Sequence, residues 1–133
     1  MLAGQYDFSI EQGTSFRLAL VYKDNNNDPI NITGWCARLT WKTSSNIVQT
    51  FSTDNIDYSL YKFEIDGVNG KLTLLLPASL TNEFTFTNAK YEIELQSYDD
   101  FYTDGGKYTV RILEGTITIS KRKSKTDTAL ECA

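Results

Sequence analysis

The sequence predicts an all-β protein, an antiparallel β-sandwich of about seven or eight strands with one short helix. Three observations lead there. Apolar and polar residues alternate along most of the chain. Turn-forming clusters punctuate that alternation at short intervals. Only one stretch, Ala78 to Phe84, can be read as a helix, with Leu80 and Phe84 on one side at i, i+4 spacing.

The elements follow in order. Tyr6, Phe8 and Ile10 share one face of an opening strand that Gly13 breaks. Phe16, Leu18, Leu20 and Tyr22 then alternate with Arg17, Ala19, Val21 and Lys23. Asp24 to Pro29 is an Asn/Asp-rich turn, because these side chains bond nearby amides and tolerate left-handed backbone. Ile30 and Ile32 form a short extended piece before Thr33-Gly34. Ala37, Leu39 and Trp41 mark the inner face of the next strand, Cys36 to Lys42, with Arg38, Thr40 and Lys42 on the other face. Ile47 to Phe51 is its hairpin partner across Ser44-Ser45-Asn46.

The stretch from Asp54 to Tyr61 is polar and aromatic without a clear period. Phe63 and Ile65 restart the alternation, Asp66-Gly67 and Asn69-Gly70 give a tight turn, and Leu72, Leu74 and Leu76 follow on one face until Pro77. Tyr91, Ile93 and Leu95 alternate with Glu92, Glu94 and Gln96, and Asp99 to Gly106 forms a hairpin loop. In the last strand Tyr108, Val110 and Ile112 hold one parity, while Leu113, Ile117 and Ile119 hold the other. The phase slips between Ile112 and Leu113, which predicts a bulge or bend ahead of Gly115. The expected core face comprises Phe16, Leu18, Leu20, Leu39, Trp41, Leu72, Leu74, Ile93 and Leu95. No two halves resemble each other, so no internal repeat is present.

At 133 residues the chain is one domain, long enough to bury a core without staples. Residues 1–120 are read as the β-sandwich and residues 121–133 as a basic C-terminal arm. The arm holds Lys121, Arg122, Lys123 and Lys125 against Asp127 and Glu131, whereas the whole chain carries a net charge of −4. An acidic body repels phosphate backbones, so nucleic acid is not an expected partner. No apolar run nears the ~20 residues that span a bilayer, so neither is a membrane. The start of the sequence carries no secretory signal pattern, which points to synthesis in a cytoplasm. The arm reads either as a solvated tail or as a docking segment for an acidic neighbour.

The catalytic inventory is thin. The chain has no histidine, which removes Ser-His-Asp and Cys-His arrangements and histidine metal ligands. Neither cofactor nor metal is expected. Glu92 and Glu94 share a strand face and read as an acid/base pair or, more simply, as the wet face of a half-buried strand. Asp99, Asp100 and Asp104 share a loop but lack the spacing of an EF-hand calcium site. Asn31-Ile32-Thr33 matches a glycosylation sequon without a secretory context. Cys36 reads as a small core hydrophobe and Cys132 as an exposed terminal thiol. A disulfide between them stays open, disfavoured by a cytoplasmic origin.

The aromatic residues Trp35, Trp41, Tyr58, Tyr61, Phe101 and Tyr102 suffice for a sugar-stacking platform, and equally for a β-core. Phe101 and Tyr102 sit in an otherwise polar loop and are candidate interface anchors.

The two ends carry a family resemblance. The chain opens with Tyr6-Asp7-Phe8-Ser9-Ile10-Glu11-Gln12-Gly13-Thr14-Ser15-Phe16 and closes with Leu113-Glu114-Gly115-Thr116-Ile117-Thr118-Ile119-Ser120. Between them stand Asp28-Pro29-Ile30, Ile32-Thr33-Gly34, Gly70-Lys71-Leu72-Thr73-Leu74 and Tyr91-Glu92-Ile93-Glu94-Leu95. In this order the segments resemble small β-sandwich structural proteins of tailed bacteriophages, similar to the N-terminal domain of baseplate upper proteins. The resemblance implies an immunoglobulin-like sandwich and a non-enzymatic role as a tail, baseplate or fibre-attachment adaptor. It implies other virion proteins as partners, homo-oligomers in the particle as one arrangement, and assembly in the host bacterial cytoplasm. Phe101, Tyr102, Lys121, Arg122, Lys123 and Lys125 are the candidate interface. The sequence departs from the family pattern in the Asp99–Tyr102 loop and after Ser120. A carbohydrate-binding sandwich module is the alternative reading.

Overall fold

Among the described residues nine strands form two sheets, and a single helical turn joins two of the strands. The computed structural model describes residues 3–53, 63–100 and 106–123, with the backbone alone for 98–100. The stretch from Asp54 to Tyr61, the tip residues Phe101 and Tyr102, and the arm from residue 124 onward lie outside the described residues.

The strands are β1 (Gly4–Gln5), β2 (Phe8–Glu11), β3 (Phe16–Val21), β4 (Cys36–Thr43), β5 (Val48–Ser52), β6 (Phe63–Asp66), β7 (Lys71–Leu76), β8 (Asn88–Asp100) and β9 (Lys107–Ser120). The helical turn α1 (Ala78–Thr81) joins β7 to β8. The large sheet runs β1-β9-β8-β4-β5, with β2 also on β9, and the small sheet runs β3-β7-β6. The two sheets make an all-β, sandwich-like fold, and Trp41 on β4 is buried in its core. The expected antiparallel pairing holds except at one seam: β1 and β2 run parallel to β9. Periodicity shows which residues face inward, but carries no information on which distant strands pair.

Local chemistry explains the turns. Asp24 Oδ1 accepts the Asn26 and Asp28 amides at 2.9 and 3.0 Å, and Asn27 takes a left-handed φ of 67°. Asn46 does the same between β4 and β5, at φ 66°. The β6–β7 turn closes through Gly70 N–H on Gly67 O, at 3.1 Å. Gly70 is required there by its φ of 64° and by the Ile30 and Tyr22 carbonyls that crowd its α-carbon.

The core lies between the sheets. Leu39, Trp41, Leu72, Leu74, Ile93 and Leu95 are buried as expected, together with Ile10, Ile32, Phe51, Phe63 and Ile117. Trp41 packs edge-on against Phe51 and Phe84, with ring centroids 5.1 and 5.2 Å apart. Trp35 lies 6.2 Å from both Tyr22 and Tyr108. Phe16, Leu18 and Leu20 are only half-buried, because among the described residues β3 is an edge strand paired on one side only, with β7.

Three further expectations need correction. Cys36 is half-buried and shares its face with Arg38, on the outside of the large sheet rather than in the core. The helix is one turn, shorter than Ala78 to Phe84. The segment read as a loop from Asp99 begins as strand, since β8 runs to Asp100, which pairs with Lys107. The phase slip in the last strand is present: Ile93 faces Leu113 and Glu94 faces Arg111, so Ile112 is the extra, bulged residue.

Candidate functional site

The two terminal segments meet. Gly4 and Gln5 pair with Leu113 and Glu114, and Phe8 to Glu11 pair with Ile117 to Ser120 in the same register. Between these runs the seam is reworked at Tyr6 and Asp7. Tyr6 N–H donates to Glu114 O at 2.9 Å, but the Thr116 N–H donates to Asp7 Oδ1 at 2.8 Å. The Asp7 carboxylate thus occupies the place a backbone acceptor would hold. The Tyr6 carbonyl is freed and accepts the Tyr91 hydroxyl. Burial, with the Asp7 charge second, pushes the Tyr91 phenol well above its ordinary value. Tyr6 O lies so close over Gly115 that any Cβ there would collide with it. Gly115 itself stands in regular register with Tyr91; its role is this close approach, not the bulge three residues earlier.

At the other end of the seam the chain is clasped. Gln12 Nε2 donates to Phe84 O at 3.0 Å, and its Oε1 accepts the Arg122 N–H at 3.0 Å. Gly13, at φ 82°, donates its N–H to Thr81 Oγ1, and that hydroxyl donates to Thr14 O at 2.7 Å. Lys121 Nζ donates to Phe84 O at 3.2 Å, and Arg122 Nε donates to Asn82 Oδ1 at 2.8 Å. The Arg122 guanidinium lies directly over Gly13, in space a side chain there would fill. The turn after β2, the end of α1 and the first arm residues are therefore one hydrogen-bonded unit.

Of the six candidate interface residues, Lys121 and Arg122 are engaged with the body of their own chain, and Lys123 is exposed just beyond them. The first two arm residues, Lys121 and Arg122, are thus hydrogen-bonded to the sandwich. Phe101, Tyr102 and Lys125 lie outside the described residues.

The outer face of the large sheet is its broadest exposed surface. Alternation and register set it out in rows across the strands. Glu94 and Arg38 pair at 2.8 Å, and Arg111 reaches Glu92 at 2.9 Å and Glu114 at 3.6 Å. Glu92 and Glu94 are thus each occupied by an arginine on a wet face. Over this surface lies an open depression of about 540 Å³, lined by Gln5, Asp7, Thr40, Lys42, Val48, Lys90, Glu92, Glu114 and Thr116 among others. Signals for these pairs exist in the sequence as alternating charges, but which strands adjoin is not among them.

Trp41 is buried and Trp35 packs between Tyr22 and Tyr108. Among the described residues, Tyr6 is the exposed large aromatic side chain, and no flat row of rings faces solvent. Nor, among the described residues, do three His, Cys, Asp or Glu side chains come close enough to hold a metal ion. Asn31 Oδ1 accepts both the amide and the hydroxyl of Thr33, the local turn behind the sequon pattern.

No protein-family model matches the chain, and no curated protein matches it.

Proposed function

We propose that this chain is a non-enzymatic structural protein of a tailed bacteriophage virion, an adaptor of the tail, baseplate or fibre attachment that acts by protein–protein assembly. The observation that carries this reading is the seam. The opening and closing segments on which the family resemblance rests are neighbours in space, and their least generic residues have specific structural tasks. Gln12 and Gly13 build the clasp, and Gly115 admits the Tyr6 carbonyl. The opening and closing segments of that motif set thereby form one seam. The clasp ties the first two basic residues after β9, Lys121 and Arg122, to the body of the domain, and the docking role proposed for the arm concerns the residues beyond them. The described tryptophans are occupied in packing, which favours assembly over the carbohydrate-module reading.

The test is mass spectrometry and label localisation in purified particles, with a truncation removing residues 123–133 and leaving the clasp whole. The truncated protein is expected to fold and to enter particles less well. Equal incorporation would remove the arm's docking role. A protein absent from particles that bound glycans specifically would be the carbohydrate module instead.

A further inference from the structure

Two adjacent rows of the outer face differ in charge balance. In one, Gln5, Glu114, Glu92 and Thr40 stand side by side, and Arg111 neutralises both glutamates. In the next, Thr116, Lys90, Lys42 and Val48 stand side by side. Lys90 and Lys42 are direct cross-strand partners. Like charges opposed in this way repel, and a sheet gains nothing by placing them so. Among the described residues neither amine forms an ion pair, whereas Arg38 and Arg111 on the same face both do.

The surroundings suit an incoming carboxylate. Both lysines border the 540 Å³ depression and also a neighbouring one of about 320 Å³, to which Ser44, Asn46 and Asn88 contribute. At the same corner Val48 and Ile47 are 58% and 63% exposed. Val48 begins β5, an edge of the large sheet among the described residues, and Ile47 immediately precedes it. Basic, amide and apolar groups therefore converge beside a strand edge.

We infer that this corner docks an extended, carboxylate-bearing segment of a different protein, with an acidic side chain between Lys42 and Lys90 and an apolar one on Val48. Charge complementarity selects this occupant: two amines with no ion-pair partner among the described residues form a basic spot on a chain whose net charge of −4 repels a second copy. The inference rests on the assembly reading for what kind of protein the partner is, and it deepens that reading by naming the partner's chemistry.

The test has two arms. In the first, capped hexaglutamate is titrated into the free protein and followed by amide NMR. Shifts confined to the strands around Lys42, Lys90 and Val48 are expected, and Lys42→Glu should weaken binding by at least about tenfold. The same variant should melt no lower than the parent, because it replaces a repulsive pair by an attractive one. Lys23→Glu, at a distant turn, should leave binding unchanged. Absent shifts, or equal losses for both variants, overturn the inference. In the second arm, carbodiimide cross-linking of purified particles should join Lys42 or Lys90 to an acidic residue of another virion protein. Cross-links to a second copy of this chain, or normal incorporation of Lys42→Glu, overturn the inference and leave the assembly reading standing. If the chain is absent from particles the assembly reading falls, and the titration alone decides for or against the basic corner.

Discussion

On the large sheet, β4 carries Ala37, Leu39 and Trp41 inward and buries all of them; on the small sheet, β3 carries Phe16, Leu18 and Leu20 inward with the same alternation and leaves each half-exposed. The residues of β3 are the larger on average. Position decides the difference: β4 lies between β5 and β8, while β3 has β7 on one side only. The central strand β7 shows the opposite extreme, burying Leu72, Thr73 and Leu74 in succession. Burial therefore follows a strand's place in the sheet order as much as its pattern of side chains. The same comparison explains the exteriors. The large sheet offers water a broad grid of ion pairs, and the small sheet offers narrow edges.

The strongest way to break this comparison is to empty the core from each side. Trp41→Ala should cost about 3–5 kcal/mol and Leu74→Ala about 2–5 kcal/mol in denaturant unfolding, because both are closely packed. Phe16→Ala, on the edge strand, should cost less than either. A Phe16 loss equal to that of Trp41 would show that edge position does not matter.

The seat of Tyr22 between the sheets gives a pH test. Burial first, and a hydrogen bond to Tyr108 second, push its phenol from 10.0 up to about 12. A phenol with a higher pKa in the folded state holds its proton more tightly there. Its contribution is whole below pH 10 and is lost as pH rises toward 12. Tyr22→Phe should flatten that alkaline loss in thermal melts, and an unchanged profile would contradict the assignment.

Gly115→Val drives a side chain into the Tyr6 carbonyl and should cost about 1–3 kcal/mol, as overpacking does. Hydrogen exchange should speed up along β2 and β9 and leave the small sheet unaffected. The smallest expected effect is Gln12→Ala, about 1–2 kcal/mol, from the partners it leaves behind in the clasp. Its signature is faster exchange at the Arg122 amide.

Much of this fold was legible from period-two alternation, because most strands have one dry face and one wet face. The bulge at Ile112 was legible too, since an extra residue inverts parity and leaves a trace in the sequence. The reworked seam at Tyr6-Asp7 leaves no trace: a carboxylate standing in for a carbonyl looks like any polar residue. Cys36 was misread because it adjoins Trp35 and an apolar-looking run, while its parity with Arg38 places it outside. The Lys42–Lys90 pair and the clasp depend on contacts between residues far apart in sequence, which no local pattern encodes. The resemblance of the two ends marked the clasp's residues without showing that they touch.

The parallel seam has a mechanical consequence. Because β2 and β9 run the same way, tension between the two ends of the chain draws them in opposite directions along their length. The bonds across the seam then bear load together instead of opening one at a time. Under tension the clasp around Arg122 should peel first and the seam should hold. Force spectroscopy with handles at the two termini should record a single high rupture, lowered by Gly115→Val. Tension across this sandwich therefore loads its terminal strands in shear.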